Sequence, residues 1–502
     1  MLPINALAAL AAMAFAAPAS AETLVDEQVS ASEAVDQTCF TRDLSGEAGV
    51  ASQTIETPTV GEIEARLEGA SGDWDLALID AAKGGTVGAS AYQGASEVAQ
   101  GYAFTGERIV VQACRRSGDA ETASLTVDFT PIDTSGEAPR ISLVRVITPR
   151  QPDRDRLVDL GLNLTEHGGD NYVGAVLHGA RDRNTLEAAD FDYRVDVADL
   201  VAADAKRARQ DARFSAAGGG GRTLPSGQTT YRRLFDYSED MKQLADRNPH
   251  LVKPITLPFR TYEGRRVEGI EITQNPDVRD GKPVFLQMGV HHAREWPSGE
   301  HAMEWAYELV RGYKDGNDRI QRLVNRTRTI VVPIVNPDGF NISRETGELQ
   351  GAGNGRDADS LEEEITQLIV FGQEYWRKNC RFPKGPPDGS CAQPGNGLAS
   401  PGVDPNRNYG GFWGGPGASG NPLDQTYYGP GPFSEPETRN IRALISDRQV
   451  VSLITNHTFS NLVLRPPGLA GEPDTPDEPL YRRLGAEMTR ENGYSNLKSY
   501  QL

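Results

Sequence analysis

The segment MGVHHAREWPSGEH, which begins at Met288, contains two His-x-x-Glu patterns. One consists of His292 and Glu295, and the other of His301 and Glu304. Imidazole and carboxylate groups bind zinc, and a catalytic zinc ion needs three protein ligands and one open position. Either pair can supply two of these ligands, so the third must come from elsewhere in the chain.

The residues around each pair distinguish the two patterns. His301 and Glu304 lie among apolar residues at helical spacing, which indicates a solvated or locally paired helix face. His292 and Glu295 follow the predicted strand PVFLQMGV and precede Pro297, where a helix is predicted to begin. Ligand crevices in open α/β sheets form at the carboxyl ends of strands. We therefore expect His292 and Glu295 to lie in such a crevice.

His457 is the candidate for the third ligand. It is the only one of the seven histidines that follows His301 in the chain. It comes at the end of the predicted strand VVSLITN, and two strand ends of one sheet can present their side chains to a common site. By spacing alone, a His-x-x-Glu pair also arises by chance, so a metal site and ordinary paired polar residues both stay open.

Strand and helix patterns divide the chain into five segments. Residues 1–21 have an apolar run and a small-x-small site, which is typical of a cleaved secretion signal. Alternating strands such as DWDLALID predict an all-β sandwich-like domain over 22–135. A small α/β unit is predicted over 140–215, followed by a Gly-rich linker at 216–226. The strands and helices of 227–502 predict a mixed or mostly parallel sheet with helices on both faces.

One helix of the last segment has a predicted start. In SEPETRNIRALISD, Ser434 is followed three residues later by Glu437, the capping-box pattern in which both side chains accept from free backbone donors. The helix is therefore expected to begin directly after Ser434.

Charge and cysteine content exclude some classes of function. The 502 residues include 51 Lys and Arg against 70 Asp and Glu, a net charge of −19, and there is no basic run. We therefore expect no nucleic acid partner. Beyond the signal, no segment reaches the ~20 apolar residues of a membrane span. Four cysteines fit an exported, oxidising setting, and proximity in sequence favours the pairs Cys39 with Cys114 and Cys380 with Cys391.

Four separated motifs resemble the zinc metallocarboxypeptidases of the carboxypeptidase A type. They are HAREW at 292–296, WRKN at 376–379, GVDPNRNY at 402–409 and NHTFS at 456–460. The resemblance covers 227–502 and implies a secreted protease that acts on peptide or protein C-termini, in which zinc-activated water attacks the scissile carbonyl. More loosely, the α/β unit resembles the prodomain of such enzymes. A cut near the Gly-rich linker would then activate a zymogen.

The resemblance implies one zinc ion per chain and a set of residues that hold it. His292, Glu295 and His457 match the zinc ligands of the family. Asp404 matches the position that supports a zinc-bound histidine through its second ring nitrogen. This assignment selects His292 and Glu295 from the two His-x-x-Glu patterns.

A second set of residues matches the family's substrate site. Arg377 matches the arginine that polarises the scissile carbonyl and stabilises the oxyanion, and Arg294 matches a further arginine that contacts substrate. Asn406 and Arg407 match the pair that binds the terminal carboxylate of the substrate. A guanidinium fork suits that task because it binds a carboxylate bidentately.

The resemblance is incomplete after His457. The family's general base is a Glu on a late strand, preceded by a Tyr that closes over the substrate. The carboxylates after His457 match neither position, and they are Glu472, Asp474, Asp477, Glu478, Glu487 and Glu491. We therefore expect a C-terminally incomplete carboxypeptidase domain. It is either a fragment of an enzyme or a zinc- and peptide-binding protein without turnover. An amidase or deacylase is disfavoured, because Asn406 and Arg407 suit a free carboxylate.

Overall fold

The computed structural model describes residues 21–132, 140–169, 171–200, 224–348, 375–381 and 402–501, with scattered positions between 202 and 213. The predicted signal up to residue 20, the linker up to residue 223 and Cys391 lie outside the described residues. Within the described ranges, no helix is long and apolar enough to cross a membrane.

The N-terminal region forms two antiparallel sheets of four strands that pack face to face. Its strands are β1 (Glu22–Ser30), β2 (Val50–Glu56), β3 (Gly61–Gly69), β4 (Asp73–Asp80), β5 (Thr86–Ser90), β6 (Ser96–Ala103), β7 (Arg108–Ser117) and β8 (Thr122–Pro131). The sheet orders are β1-β8-β3-β6 and β2-β7-β4-β5. Side chains from both sheets, including Ile63 and Trp74, share one core. The predicted disulfide between Cys39 and Cys114 is present, with Cα atoms 5.9 Å apart.

The α/β unit follows the order strand, helix, strand, strand, helix, strand. Its elements are β9 (Ile141–Ile147), α1 (Gln151–Val158), β10 (Asn163–Gly169), β11 (Tyr172–His178), α2 (Ala180–Ala188) and β12 (Tyr193–Val197). The antiparallel sheet has the order β10-β11-β9-β12, a split βαβ arrangement. Leu157 and Leu186 from the two helices pack with Val144 and Leu177 in a core that belongs to this unit alone.

The C-terminal region is built on a mixed five-stranded sheet, as the sequence predicts. Its strands are β13 (Val252–Thr256), β14 (Glu268–Ile272), β15 (Val284–Met288), β16 (Arg328–Val332) and β17 (Val450–Thr455), in the order β13-β14-β16-β15-β17. Strand β15 runs parallel to both β16 and β17, and the other pairs are antiparallel.

Helices cover both faces of the middle of this sheet. They are α3 (Leu234–Asp246), α4 (Trp296–Lys314), α5 (Asp318–Arg326), α6 (Pro337–Glu348) and α7 (Pro436–Asp447). Alternate side chains of a strand point to opposite faces. Val331 therefore packs with α3, α4 and α5, whereas Ile330 and Val332 pack with α7.

The edge strand β17 departs from the prediction of helices on both faces. Val451 is 63% exposed and Leu453 is 45% exposed. The elements that follow, β18 (Leu462–Arg465), α8 (Glu478–Thr489) and β19 (Ser495–Lys498), pack mainly against one another. Val451 and Leu453 are therefore left at the surface, whereas Val450 packs on the core that contains α7.

The predicted capping box of α7 is wrong. Glu435, not Ser434, is the N-cap residue, and its side chain does not cap the helix. Asn408 instead accepts hydrogen bonds from the Glu435 backbone N–H at 3.2 Å and from the Thr438 hydroxyl at 2.7 Å. The Glu437 carboxylate accepts a 2.9 Å hydrogen bond from the Asn379 side chain. A side chain from a distant loop therefore fixes this helix end.

Candidate metal centre

Two parallel strands bring the candidate ligands to the same edge of the sheet. Met288, the last residue of β15, pairs with Thr455, the last residue of β17. The chain reaches His292 four residues after β15 and His457 two residues after β17. Because parallel neighbours end on the same side, both histidines lie at one carboxyl edge, with Glu295 at the start of α4.

The carboxylate of Glu295 lies between the two imidazole rings. Its Oε1 is 2.7 Å from Nδ1 of His292, and its Oε2 is 2.8 Å from Nδ1 of His457. The two Nδ1 atoms are 3.3 Å apart. The three side chains thus aim one ligand atom each at a common point, all within 4.8 Å of one another. Two imidazoles and one carboxylate are a donor set that suits catalytic zinc.

The protonation state of Glu295 also suits a cation. Burial raises the pKa of this carboxyl, but the neighbouring His292 and His457 outweigh burial and hold the pKa well below its usual range. The carboxylate is therefore ionised at neutral pH. A buried anion beside two imidazoles that can each ligate is an arrangement that a divalent cation would balance.

Asp404 connects the ligand cluster to Arg377. Its Oδ1 lies 3.4 Å from Nε2 of His292, the ring nitrogen that faces away from Glu295. Its Oδ2 accepts hydrogen bonds from Nε and Nη2 of Arg377, at 3.0 and 2.8 Å. Burial raises the pKa of Asp404, but Arg377 and His292 outweigh burial and keep the pKa well below its usual range. One ionised carboxylate therefore orients both an imidazole and a guanidinium.

The remaining predicted residues lie around this cluster with other partners. Asn406 and Arg407 belong to a 3₁₀ turn, Pro405–Arg407, whose N-cap is Asp404. The Asn406 backbone N–H donates to Asp404 at 2.9 Å, and Arg407 Nε donates to the carbonyl of Gly417 at 2.7 Å. The contacts thus join His292, Glu295, His457, Asp404, Arg377 and the backbone of Asn406. The guanidinium of Arg407 is held by the loop beside them.

Arg294 contacts the α/β unit. Its Nη2 donates a 2.8 Å hydrogen bond to Oδ1 of Asn163, which begins β10. Arg294, which the resemblance assigns to the substrate site, is therefore hydrogen-bonded to the α/β unit.

The second His-x-x-Glu pair lies on α4 with partners of its own. His301 contacts the side-chain oxygen of Asn456 at 3.0 Å. Glu304 accepts from the backbone and hydroxyl of Ser226 and lies 3.0 Å from Arg232 Nη1. This is the locally paired helix face that the spacing indicates.

Two buried residues near the cluster, His291 and Lys378, are not among the site residues predicted from the sequence. His291 lies between Tyr409 Oη at 2.7 Å and Thr455 Oγ1 at 3.0 Å, and burial lowers its pKa to about 3. Lys378 donates to the carbonyls of Pro422 and Asp424, and burial lowers its pKa to about 7. The His-His dipeptide at 291–292 was a signal for the first. The charged motif WRKN at 376–379 gives no indication that Lys378 is buried.

A second group of possible ligand atoms, in Glu263, Asp338 and Cys380, does not suit a metal. Cys380 is disulfide-bonded and has no thiolate to offer. Its predicted partner, Cys391, lies outside the described residues. Arg265 forms ion pairs with both carboxylates, so one guanidinium already occupies the space between them and balances one of their two charges.

Comparison with known families decides the class of the chain. The profile of the peptidase M14 family, described as zinc carboxypeptidase, matches residues 237–501, which is more than half of the chain. The chain belongs to the zinc carboxypeptidase family. The resemblance seen in the four motifs is thereby confirmed, and the family is zinc-dependent.

Relatives of this zinc carboxypeptidase chain align with part of it. It is 30% identical over 241 residues to carboxypeptidase A2 of Rattus norvegicus, which covers 47% of this chain and 47% of that protein. It is 30% identical over 252 residues to zinc carboxypeptidase A 1 of Drosophila melanogaster, covering 49% and 48%. The chain spans about half the length of the curated relatives it matches.

Solved structures support the fold of this family member. Carboxypeptidase A from Helicoverpa armigera superposes with a TM-score of 0.54 at 20% identity, covering 73% of this chain and 83% of that chain. Thrombin activatable fibrinolysis inhibitor superposes with a TM-score of 0.51 at 17% identity, covering 72% and 84%. The carboxypeptidase-like α/β fold with a mixed sheet is thereby confirmed.

Proposed function

We propose that the chain is an exported precursor of a zinc carboxypeptidase that acts on peptide or protein C-termini. The observation that carries this proposal is the convergence of His292, Glu295 and His457 at the carboxyl edge of β15 and β17, with Asp404 behind His292. The disulfide between Cys39 and Cys114 supports an oxidising compartment.

The three converging side chains would hold one zinc ion, with Asp404 fixing the ring of His292 through its second nitrogen. When bound, zinc polarises a scissile carbonyl and activates water for attack. Asp404 also fixes the guanidinium of Arg377, so that Arg377 can stabilise a developing oxyanion without reorganising.

The substrate carboxylate would be bound by Asn406 and Arg407. The 3₁₀ turn places both beside Asp404, and the Gly417 carbonyl fixes the Arg407 side chain at Nε. The terminal nitrogens of the Arg407 guanidinium suit bidentate binding of a carboxylate. Arg294 would contribute a further contact to the substrate once it is released from Asn163.

The α/β unit would cover this site in the precursor. Asn163 binds Arg294, Gly161 lies directly against the Asp424 carboxylate, and Tyr375 packs on the unit's apolar surface. On the carboxypeptidase side these contacts fall on Arg294, Asp424 and Tyr375, and Tyr375 is two residues from Arg377 in sequence. We infer that the unit acts as a prodomain, and that its removal opens the site.

The test measures bound zinc and peptide hydrolysis by the purified chain. We expect one zinc per chain by elemental analysis and hydrolysis of blocked dipeptides after the α/β unit is removed. His457→Ala should lose the zinc, whereas His301→Ala, in the other His-x-x-Glu pattern, should retain it. A wild-type chain without zinc, or equal zinc loss in both variants, would contradict the proposal.

A second candidate function is binding of zinc and C-terminal peptides without cleavage. It is favoured by the positions of the described carboxylates after His457. Glu478 is buried against Arg465 and Asp474 pairs with Lys498, while Glu472, Asp477, Glu487 and Glu491 are exposed. Peptide binding without turnover in the zinc-loaded chain would support this candidate, and turnover would eliminate it.

A further inference from the structure

The β-sandwich and the zinc carboxypeptidase domain exchange aromatic side chains. Phe235, on α3 of the carboxypeptidase domain, is a member of the sandwich core that contains Cys39 and Phe40, and its ring centroid lies 4.6 Å from that of Phe40. In the other direction, Tyr92 of the sandwich is a member of the core beneath α3 and α4. Each domain therefore completes the apolar core of the other.

A buried ion pair joins the same two domains. The ammonium of Lys242, on α3, donates to Asp75 at 3.0 Å and to Asp73 at 3.1 Å, both on β4 of the sandwich. Asp75 is fully buried. Separation of the domains would leave Asp75 with only one of its two cations, Arg116 at 2.9 Å, and would take both carboxylates of β4 away from Lys242, so the pair fixes which surfaces of the two domains dock.

Two buried arginines of the carboxypeptidase domain add hydrogen bonds to sandwich residues. Arg233 donates to the carbonyls of Thr86 and Val87, both at 2.9 Å, and also pairs with Glu345 on α6. Arg265 donates to the side chain of Gln100 on β6. Backbone acceptors at the edge of the sandwich are therefore satisfied by the carboxypeptidase domain.

The α/β unit differs from the sandwich in that its main apolar core is not shared with the carboxypeptidase domain. It has a complete core of its own, which contains no carboxypeptidase side chain. Its contacts to the carboxypeptidase domain include the hydrogen bond between Asn163 and Arg294, the approach of Gly161 to Asp424 and the partly buried ring of Tyr375. Because its own core contains no carboxypeptidase side chain, the unit can detach from this contact without opening that core.

We propose that the β-sandwich is a permanent non-covalent subunit of the carboxypeptidase domain, and that a cut in the Gly-rich linker alone does not release the α/β unit. After such a cut, the α/β unit would still be joined through residues 133–139 to a sandwich that stays bound. Tethering of this kind keeps the local concentration of the unit on the order of mM. Opening the site would require a second cut, between the sandwich and the unit.

The consequence for activation rests on the proposed prodomain role, but the association of fragments can be measured without any turnover. In the full chain, a site-specific protease sequence replaces residues 216–222, and a second, orthogonal sequence replaces residues 133–139. The products of each cut are separated by size-exclusion chromatography under native conditions, with circular dichroism as the test of folding.

After the first cut, we expect the two fragments to elute together. After both cuts, we expect the sandwich to elute with the carboxypeptidase domain and the α/β unit to elute alone. Separation of folded fragments after the first cut would overturn the proposal, and so would loss of the sandwich from the carboxypeptidase domain after both cuts. These elution results test the association of the fragments even if the chain never hydrolyses peptides.

Matched variants test whether the buried ion pair holds the fragments together. After the first cut, Lys242→Met should lower the urea concentration at which the fragments separate. Asp73→Asn, which changes the partly exposed carboxylate of the pair, should lower this urea concentration by a smaller amount. Lys253→Met removes an exposed ion pair with Asp277 on the same domain and should leave that concentration unchanged. An equal effect of Lys242→Met and Lys253→Met would contradict the assignment of this contact.

Discussion

Asp404 lies behind His292, with its Oδ1 atom 3.4 Å from the ring nitrogen that faces away from Glu295. The same carboxylate fixes Arg377 through its other oxygen. Substitution of Asp404 should therefore affect metal binding and oxyanion stabilisation together, although Asp404 is not among the three converging ligands.

For Asp404→Asn, we expect zinc affinity to fall by about 10- to 100-fold, the usual effect of removing the partner of a metal-bound histidine. The amide keeps the shape of the side chain but loses the charge that orients the imidazole. Zinc affinity is measured by competition with a chromogenic chelator. Asp277→Asn changes a side chain that is 78% exposed and serves as the control. Equal zinc affinity in both variants would show that Asp404 has no effect on the metal.

Arg232 is a stability determinant at the start of α3. It is fully buried, with Nε 2.7 Å from Asp240, and it also forms ion pairs with Glu300 and Glu304. Arg232→Met would leave buried carboxylates without their cation, so we expect the free energy of unfolding to fall by about 3–5 kcal/mol. Urea denaturation followed by circular dichroism measures this change.

The control for Arg232 is Arg311→Met, which removes a 58% exposed side chain whose nearest carboxylate, on Asp315, is 3.7 Å away. Exposed pairs of this kind contribute about 0–1 kcal/mol. A loss of less than 1 kcal/mol in Arg232→Met would mean that the surrounding carboxylates reorganise or take up protons at little cost.

The exposed apolar side chains of β17 predict self-association of the chain. An edge strand with Val451 and Leu453 at the surface offers both unpaired backbone groups and apolar area to a second copy. Leu453→Lys should therefore reduce the concentration-dependent increase in sedimentation coefficient. Val278→Lys, which changes a 54% exposed valine in a loop, should have no such effect. Unchanged association in Leu453→Lys would place the contact elsewhere.

Local patterns predicted the elements that carry the site, because strand alternation and strand ends are encoded in contiguous residues. DWDLALID coincides with β4, and the choice of His292 over His301 followed from the strand that precedes it. The β10 strand, NLTEHGG, was missed because it has little apolar alternation. The start of α7 was misplaced because Asn408, far away in sequence, accepts the hydrogen bonds there.

Contacts between distant segments could not be predicted in the same way. Phe235 follows the helix pattern of its own segment, and nothing in that pattern shows that its ring completes the sandwich core. The buried position of Lys378 depends on carbonyls more than 40 residues later in the chain. Such residues are positioned by tertiary packing, which one sequence does not display.

His178 links the docking of the α/β unit to pH through a chain of hydrogen bonds. Asn163 accepts from Arg294 through Oδ1, so its Nδ2 faces Nε2 of His178, at 2.8 Å. Because an arginine can only donate and the amide offers one acceptor and one donor group, His178 must accept, which requires a neutral ring. Protonation of His178 would break one hydrogen bond of this chain and add a positive charge beside Arg294 and Arg181.

Burial, with Arg294 and Arg181, lowers the pKa of His178 to about 3, from an ordinary value of 6.5. The docked unit thus binds fewer protons than the released unit, so docking is fully favoured above pH 6.5 and weakens as the pH falls towards 3. At pH 4.5 we expect docking to weaken on the order of 10- to 100-fold. Hydrogen exchange of residues 172–178, corrected for intrinsic rates, measures this loss of protection.

His178→Gln keeps an acceptor but cannot be protonated, so its corrected exchange should vary little between pH 7 and 4.5. His250→Gln, at an exposed position, should keep the wild-type pH dependence. The neighbouring Asp182, which accepts from the His178 backbone N–H at 2.8 Å, also titrates in acid. Burial raises the pKa of Asp182, so its protonation would favour docking as the pH falls, which is opposite in sign to the effect of His178. A loss of protection at pH 4.5 that persisted in His178→Gln would therefore contradict the assignment to this histidine.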